Sequence, residues 1–124
     1  MESIGLVIVS HSKHIAEGVV ELISKVAKDV PITYVGGTEG GGIGTSFDQV
    51  DRVVSENPAD TLLAFFDLGS AKMNLKMVTD FSDKSIIINR VPIVEGAYNA
   101  AAFLQAGAEL SVIQTQLAEL EINK

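Results

Sequence analysis

Four short runs of aliphatic and β-branched residues, each followed by a stretch of helical periodicity, limit what this chain can fold into more than any other feature. The runs are Ile4 to Val9, Ile32 to Val35, Thr61 to Phe66 and Ser85 to Ile88. The first is apolar without alternation, as a strand covered on both faces must be. After it, Ile15, Val19, Leu22, Ile23 and Val26 recur at the spacing of one helical face. After the second run, Phe47, Val50, Val53 and Val54 do the same, with Thr45 or Ser46 as cap, Asp48 in the first turn and Asn57-Pro58 as the stop. Met73, Met77, Val78 and Phe81 suggest a third helix. Beyond the fourth run, Pro92 opens an Ala-rich helix to about Gln105, Gly107 breaks it, and Leu110, Ile113, Leu117 and Leu120 share a face of a last helix. Strand and helix alternate four times, which implies parallel strands joined by right-handed crossovers. The expected class is α/β, three-layered and doubly wound, with about four strands in the order 2-1-3-4. The 124 residues suit a single domain spanning 1–124.

Composition excludes several classes of function. The absence of cysteine removes thiol nucleophiles, disulfides and thiolate metal sites. A net charge of −7 argues against nucleic acid, whose affinity comes from Lys and Arg on phosphates, and is compatible with docking a basic protein surface. No apolar run approaches the ~20 residues that span a bilayer. The start of the chain lacks the basic flank and apolar stretch of a signal peptide, so the expected location is the cytoplasm, with no membrane partner.

In a doubly wound sheet, ligands bind outside the carboxyl ends of the strands, where the winding reverses. In the order 2-1-3-4, three segments converge there: Ser10-His11-Ser12, the loop Gly36 to Ser46, and Asp67-Leu68-Gly69-Ser70. His11 ends an apolar strand and precedes a helix, which puts its ring at the lip of the cleft. A neutral imidazole offers one nitrogen for attack while the other is held by an acceptor. Asp67 is the carboxylate placed to fix that tautomer and to stabilise the ring as it becomes cationic. Six of the eleven loop residues are glycine, and glycine lets main-chain amides approach an anion closely. Thr38, Gly40, Gly41 and Gly42 are therefore candidates for a phosphate cradle ahead of a helix N-terminus. A flexible lid is the alternative, and the loop matches no nucleotide-binding fingerprint. Ser70 is expected chiefly to cap the third helix, with anion contact as its second role. His14 is expected to be exposed, since His-x-x-His finds no third metal ligand. Glu95 and Asn99 are weaker candidates for the same edge, and Arg90 is read as a solvated charge.

Val7-Ile8-Val9-Ser10-His11-Ser12, Gly37-Thr38-Glu39-Gly40-Gly41, Phe66-Asp67-Leu68-Gly69-Ser70-Ala71 and Val91-Pro92-Ile93-Val94-Glu95-Gly96 together resemble the phosphotransferase subunits of dihydroxyacetone kinase. That DhaM-type family is related to the IIA domains of the mannose-family sugar phosphotransferase system. The resemblance covers nearly the whole chain. It implies a phosphohistidine carrier with His11 phosphorylated and Asp67 as its carboxylate partner, and no cofactor beyond the transient phosphate. It implies HPr as donor, charged from phosphoenolpyruvate by enzyme I. The acceptor it implies is ADP on a DhaL-type subunit, which then serves a DhaK-type subunit. It also implies a homodimer.

Competing readings differ in what they need. A hydrolase using Ser10 or Ser12 with His11 and Asp67 lacks the nucleophile elbow. A flavodoxin-like module is disfavoured by few aromatics and no tryptophan, and a receiver domain needs an acidic cluster where Ser10-His11-Ser12 stands. A non-catalytic anion-binding or interaction module, and a IIA domain serving sugar transport, remain open on the residues alone.

Overall fold

The computed structural model describes residues 3–124. Strand β1 (Ile4–Ser10) leads into helix α1 (Lys13–Ser24), β2 (Ile32–Gly36) into α2 (Phe47–Glu56), and β3 (Thr61–Phe66) into α3 (Ala71–Phe81). Strand β4 (Ser85–Asn89) is followed by α4 (Ile93–Gln105) and α5 (Leu110–Ala118). The strands form one sheet, parallel as the alternating pattern implies, in the expected order β2-β1-β3-β4. The winding reverses at β1, so β1 and β3 are neighbours although β2 lies between them in sequence.

Both faces of the sheet are covered. Leu6, Ile8, Leu63 and Phe65 pack with Val19 and Ile23 of α1, Ala97, Ala100 and Ala101 of α4, and Ile113 and Leu117 of α5. Val7, Val9, Leu62, Ala64 and Phe66 point the other way, against Val50, Val53 and Val54 of α2 and Ala71, Leu75 and Val78 of α3. This two-sided burial is why the central strands read as unbroken apolar runs.

Two helices turn a different face inward from the one their large residues mark. In α1 the buried stripe is Ala16, Val19 and Ile23, while Ile15 and Leu22 are about half exposed. In α3 it is Ala71, Leu75 and Val78, whereas Met73, Met77 and Phe81 face outward. Each buried stripe begins with an alanine, Ala16 or Ala71, which a count of large apolar residues overlooks. Phe81 instead meets Phe47 edge-on at the rim, with ring centroids 6.1 Å apart.

Register brings the loops together. Strands β1 and β3 pair up to Val9 and Phe66, so Ser10 and Asp67 come one step later on adjacent strands. Ser10 pairs with Gly36 on the other side, which sets the glycine-rich loop beside the same strand end.

Candidate active site

Strand β1 ends on Ser10, which is buried, and the chain turns at His11 before Ser12 caps α1. Two main-chain bonds hold that turn against the glycine loop: the Gly37 amide donates to the Ser10 carbonyl (3.1 Å) and the Gly44 amide to the His11 carbonyl (2.9 Å). Gly37 and Gly44 both have positive φ, which explains glycine at these two points.

Asp67 is surrounded by donors. Its Oδ2 accepts from the Ser10 hydroxyl (2.6 Å) and the His11 amide (3.0 Å). Its Oδ1 accepts from the Leu68 amide (2.7 Å) and lies 2.9 Å from His11 Nδ1. Only 14% of the His11 side chain and 11% of the Asp67 side chain are exposed. Burial alone would raise the Asp67 carboxyl. The bonds from the Ser10 hydroxyl and the His11 ring, then those from the His11 and Leu68 amides, outweigh burial and hold it below its ordinary value of 3.8. An ionised Asp67 only accepts, so Nδ1 is the donor of this pair, and in the neutral ring Nε2 then keeps its lone pair. Nε2 faces the Ser70 hydroxyl at 2.5 Å.

A carboxylate whose folded-state pKa is depressed contributes stability that is complete above its unfolded value and is lost as pH falls through the folded one. The stability advantage of the native chain over Asp67→Asn is therefore expected to be largest near neutrality. It should shrink as urea unfolding is repeated from roughly pH 6 down to roughly pH 3. A difference that does not vary with pH would contradict an ionised, donor-saturated Asp67.

Ser70 departs from its expected role. It makes no side-chain cap bond, because at φ −65° and ψ −25° it already has helical geometry. Its hydroxyl reaches the histidine instead. Ser10, read from sequence only as a competing nucleophile, turns out to orient Asp67, with its hydroxyl also accepting from the Ser12 amide (3.0 Å). The sequence signal that could have found it is register: it is the residue of β1 opposite Asp67.

The glycine loop is closed on itself. The Thr38 amide donates to the Gly42 carbonyl (3.0 Å), the Gly41 amide to the Thr38 carbonyl (2.9 Å) and the Gly42 amide to Thr38 Oγ1 (3.2 Å). The loop's bonds to the His11 turn come from Gly37 and Gly44 rather than from Thr38, Gly40, Gly41 or Gly42. A groove of about 540 Å³ lies beside edge strand β2, lined by Lys13, Tyr34, Thr38, Gln49 and Arg52 among others, but not by His11, Asp67 or Ser70.

Other candidates fall outside the cluster. His14 is 93% exposed, near Glu17. Arg90 pairs with Glu121 (3.1 Å) on the surface. Glu95 is exposed and Asn99 half-buried, and no hydrogen bond ties either to the cluster among the described residues. No group of three His, Cys, Asp or Glu side chains suited to a metal ion occurs among the described residues, and no helix there is long and apolar enough to cross a membrane.

Comparisons with known proteins converge. Residues 5–114 match the EIIA-man family, described as the PTS system fructose IIA component. The phosphotransferase subunit DhaM of the PTS-dependent dihydroxyacetone kinase of Lactococcus lactis is 53% identical over 97% of this chain and 98% of its own length. The phosphoryl donor subunit DhaM of dihydroxyacetone kinase 1 from Listeria innocua is 50% identical over 95% of both chains. A crystal structure of a protein of unknown function superposes with a TM-score of 0.84 at 26% identity, over 98% of this chain and 97% of that one.

Proposed function

Since the chain belongs to the EIIA-man family and, within it, to the DhaM subunits of dihydroxyacetone kinases, we propose that His11 Nε2 is the atom that carries the phosphoryl group. The chain is a phosphoryl donor subunit of the phosphoenolpyruvate-dependent kind. The observation that supports His11 is the pairing of Nδ1 with a donor-saturated Asp67, which leaves Nε2 as the nucleophile.

In the proposed cycle, Nε2 attacks the phosphorus of phosphorylated HPr. The P–N bond to the donor breaks as P–Nε2 forms. The Nδ1 proton stays in place, so the ring becomes cationic, and Asp67 stabilises that charge. The same proton makes the ring a better leaving group in the next step. A β-phosphate oxygen of ADP, held on a DhaL-type subunit, then takes the phosphoryl group, and the ring returns to neutral. The ATP so formed would phosphorylate dihydroxyacetone on a DhaK-type subunit. Phosphoryl transfer needs positioning and charge stabilisation more than covalent chemistry from the protein.

Ser70 must yield its place at Nε2 to the phosphorus, and its hydroxyl is then positioned to donate to a phosphoryl oxygen. Thr38 and Gly40 to Gly42 are assigned to the loop over which the phosphate is presented. Contact through the Gly41 and Gly42 amides requires them to exchange their bonds to Thr38. We assign the chain to the cytoplasm and to glycerol-derived metabolism. A homodimer is supported by the exposed Ile15 and Leu22 of α1, Val94 and Tyr98 of α4 and Val112 of α5.

One geometric feature favours a second reading. Ser70, His11 and Asp67 are connected as in a serine hydrolase, hydroxyl to Nε2 and Nδ1 to carboxylate. Both readings are tested by one experiment. The chain is incubated with phosphoenolpyruvate, enzyme I and HPr, then digested and its phosphopeptides sequenced. An acid-labile, base-stable phosphate on His11 is the expected result. Phosphate on His14 or an acid-stable phosphate on Ser70 would overturn the assignment, as would no labelling while HPr itself is phosphorylated.

A further inference from the structure

The segment after α5 crosses the functional edge of the sheet. The Ile122 amide donates to the Arg90 carbonyl (2.8 Å), just beyond the end of β4. Two residues later the Lys124 ammonium donates to the carbonyl of Phe66 (2.6 Å) and to that of Asp67 (3.2 Å), at the end of β3. It also sits 4.3 Å from the centroid of the Phe66 ring. The main-chain oxygen of Lys124 accepts from the Lys72 ammonium (2.8 Å), on the first turn of α3. The turn is packed closely enough that a Cβ on Gly69 would lie 3.6 Å from the Lys124 carbonyl carbon.

We propose that Lys124 is a positioning residue for phosphoryl transfer, fixing the β3–α3 turn from which Asp67 and Ser70 reach His11. The inference rests on the assignment of His11 and Asp67 above. It follows from where the donors lie. The Asp67 side chain is held by Ser10 and His11 at the end of β1 and by Leu68 in its own turn. Those bonds fix the carboxylate relative to His11 only if the main chain beneath it is fixed as well. Strand pairing stops at Phe66, one residue short of Asp67. Lys124 supplies a clamp where the ladder ends, with a charged donor on two successive carbonyls. Charge-assisted bonds of this kind are roughly twice as strong as neutral ones. Burial lowers the Lys124 ammonium and the charge of Asp67 opposes that, which agrees with a partly desolvated cation placed near the carboxylate. A positive charge here also offsets the negative charge that the site gains when the phosphoryl group arrives.

The test is single-turnover phosphoryl acceptance from phosphorylated HPr, measured by rapid quench across a range of donor concentrations. Lys124→Met keeps an unbranched side chain of similar length and removes the charge. It should lower the saturating rate about tenfold, as a small misplacement of reacting groups does, with the half-saturating HPr concentration unchanged. Lys124→Arg should restore most of the rate. In an Asp67→Asn background, Lys124→Met should add little, because the two act through one element. An unchanged saturating rate, a defect confined to half-saturation, or losses that simply multiply would each overturn the proposal. Weakened HPr binding alone would make Lys124 part of the docking surface instead. His11→Ala is run alongside. If it still accepts phosphate, the site assignment itself fails. If it does not, and Lys124→Met is normal, only this inference fails.

Discussion

Asp67→Asn will slow phosphoryl acceptance by about 10³-fold, and His11→Ala will abolish it, with both chains keeping the native circular dichroism spectrum. The first effect comes from the tautomer. An asparagine presenting its amide to Nδ1 offers a donor where the ring needs an acceptor, and the proton then prefers Nε2, the nitrogen that must attack. In a serine-protease triad the same substitution leaves the geometry intact and costs roughly 10⁴ in rate for that reason. A carrier needs somewhat less, because its donor phosphohistidine is already a reactive species. The asparagine also loses the charge that stabilises the ring once it is phosphorylated, so onward transfer to ADP should fall too. Stopped acceptance with HPr, followed by a separate chase with ADP and the nucleotide-binding subunit, measures the two halves independently. Equal wild-type rates in Asp67→Asn would mean that the 2.9 Å contact to Nδ1 plays no part in transfer. Residual labelling of His11→Ala would move the carrier role to another side chain, with His14 the first to examine.

Much of this arrangement was legible in the order of the residues. The unbroken apolar runs at Ile4 to Val9 and Thr61 to Phe66 mark strands buried on both faces, and both are central in the sheet. Once β1 and β3 are neighbours, parallel register alone places Asp67 beside Ser10 and His11. What was not legible has identifiable causes. Ala16 and Ala71 belong to buried stripes that Ile15, Leu22, Met73 and Met77 obscure, because small residues can face the sheet while large ones remain exposed. Ser70 reads as a cap because serine before a helix usually is one, and only its backbone angles reveal that its hydroxyl points elsewhere. The closed form of the glycine loop depends on a Thr38–Gly42 bond that no spacing rule predicts. Lys124 lies in an irregular segment without periodicity, and its contact with residues 66 and 67 spans more than fifty positions.

Gly36→Ala will destabilise the chain by about 1–3 kcal/mol, the usual range for forcing extra volume into a packed site, and will impair transfer as well. A Cβ at Gly36 would lie 2.4 Å from the Ser12 carbonyl oxygen and 2.6 Å from the Lys13 Cα. Both are main-chain atoms, so no rotamer change relieves the clash. Either β2 slides away from β1 or the start of α1 moves outward. The second movement carries Ser12, and with it the Ser10-His11 turn that grips Asp67. A displacement of about 1 Å at reacting groups costs on the order of 10²-fold in rate. Gly18→Ala is the matched control, since a Cβ there meets nothing within 4 Å and the residue lies inside α1. It should stabilise the helix by roughly 0.5–1 kcal/mol. Urea unfolding of the two variants should therefore move the midpoint in opposite directions, with phosphoryl acceptance falling only for Gly36→Ala. If Gly36→Ala is destabilised yet transfers phosphate at the native rate, the sheet has absorbed the strain through β2, and the His11 turn is held by Asp67 and Ser10 without help from the strand beside it.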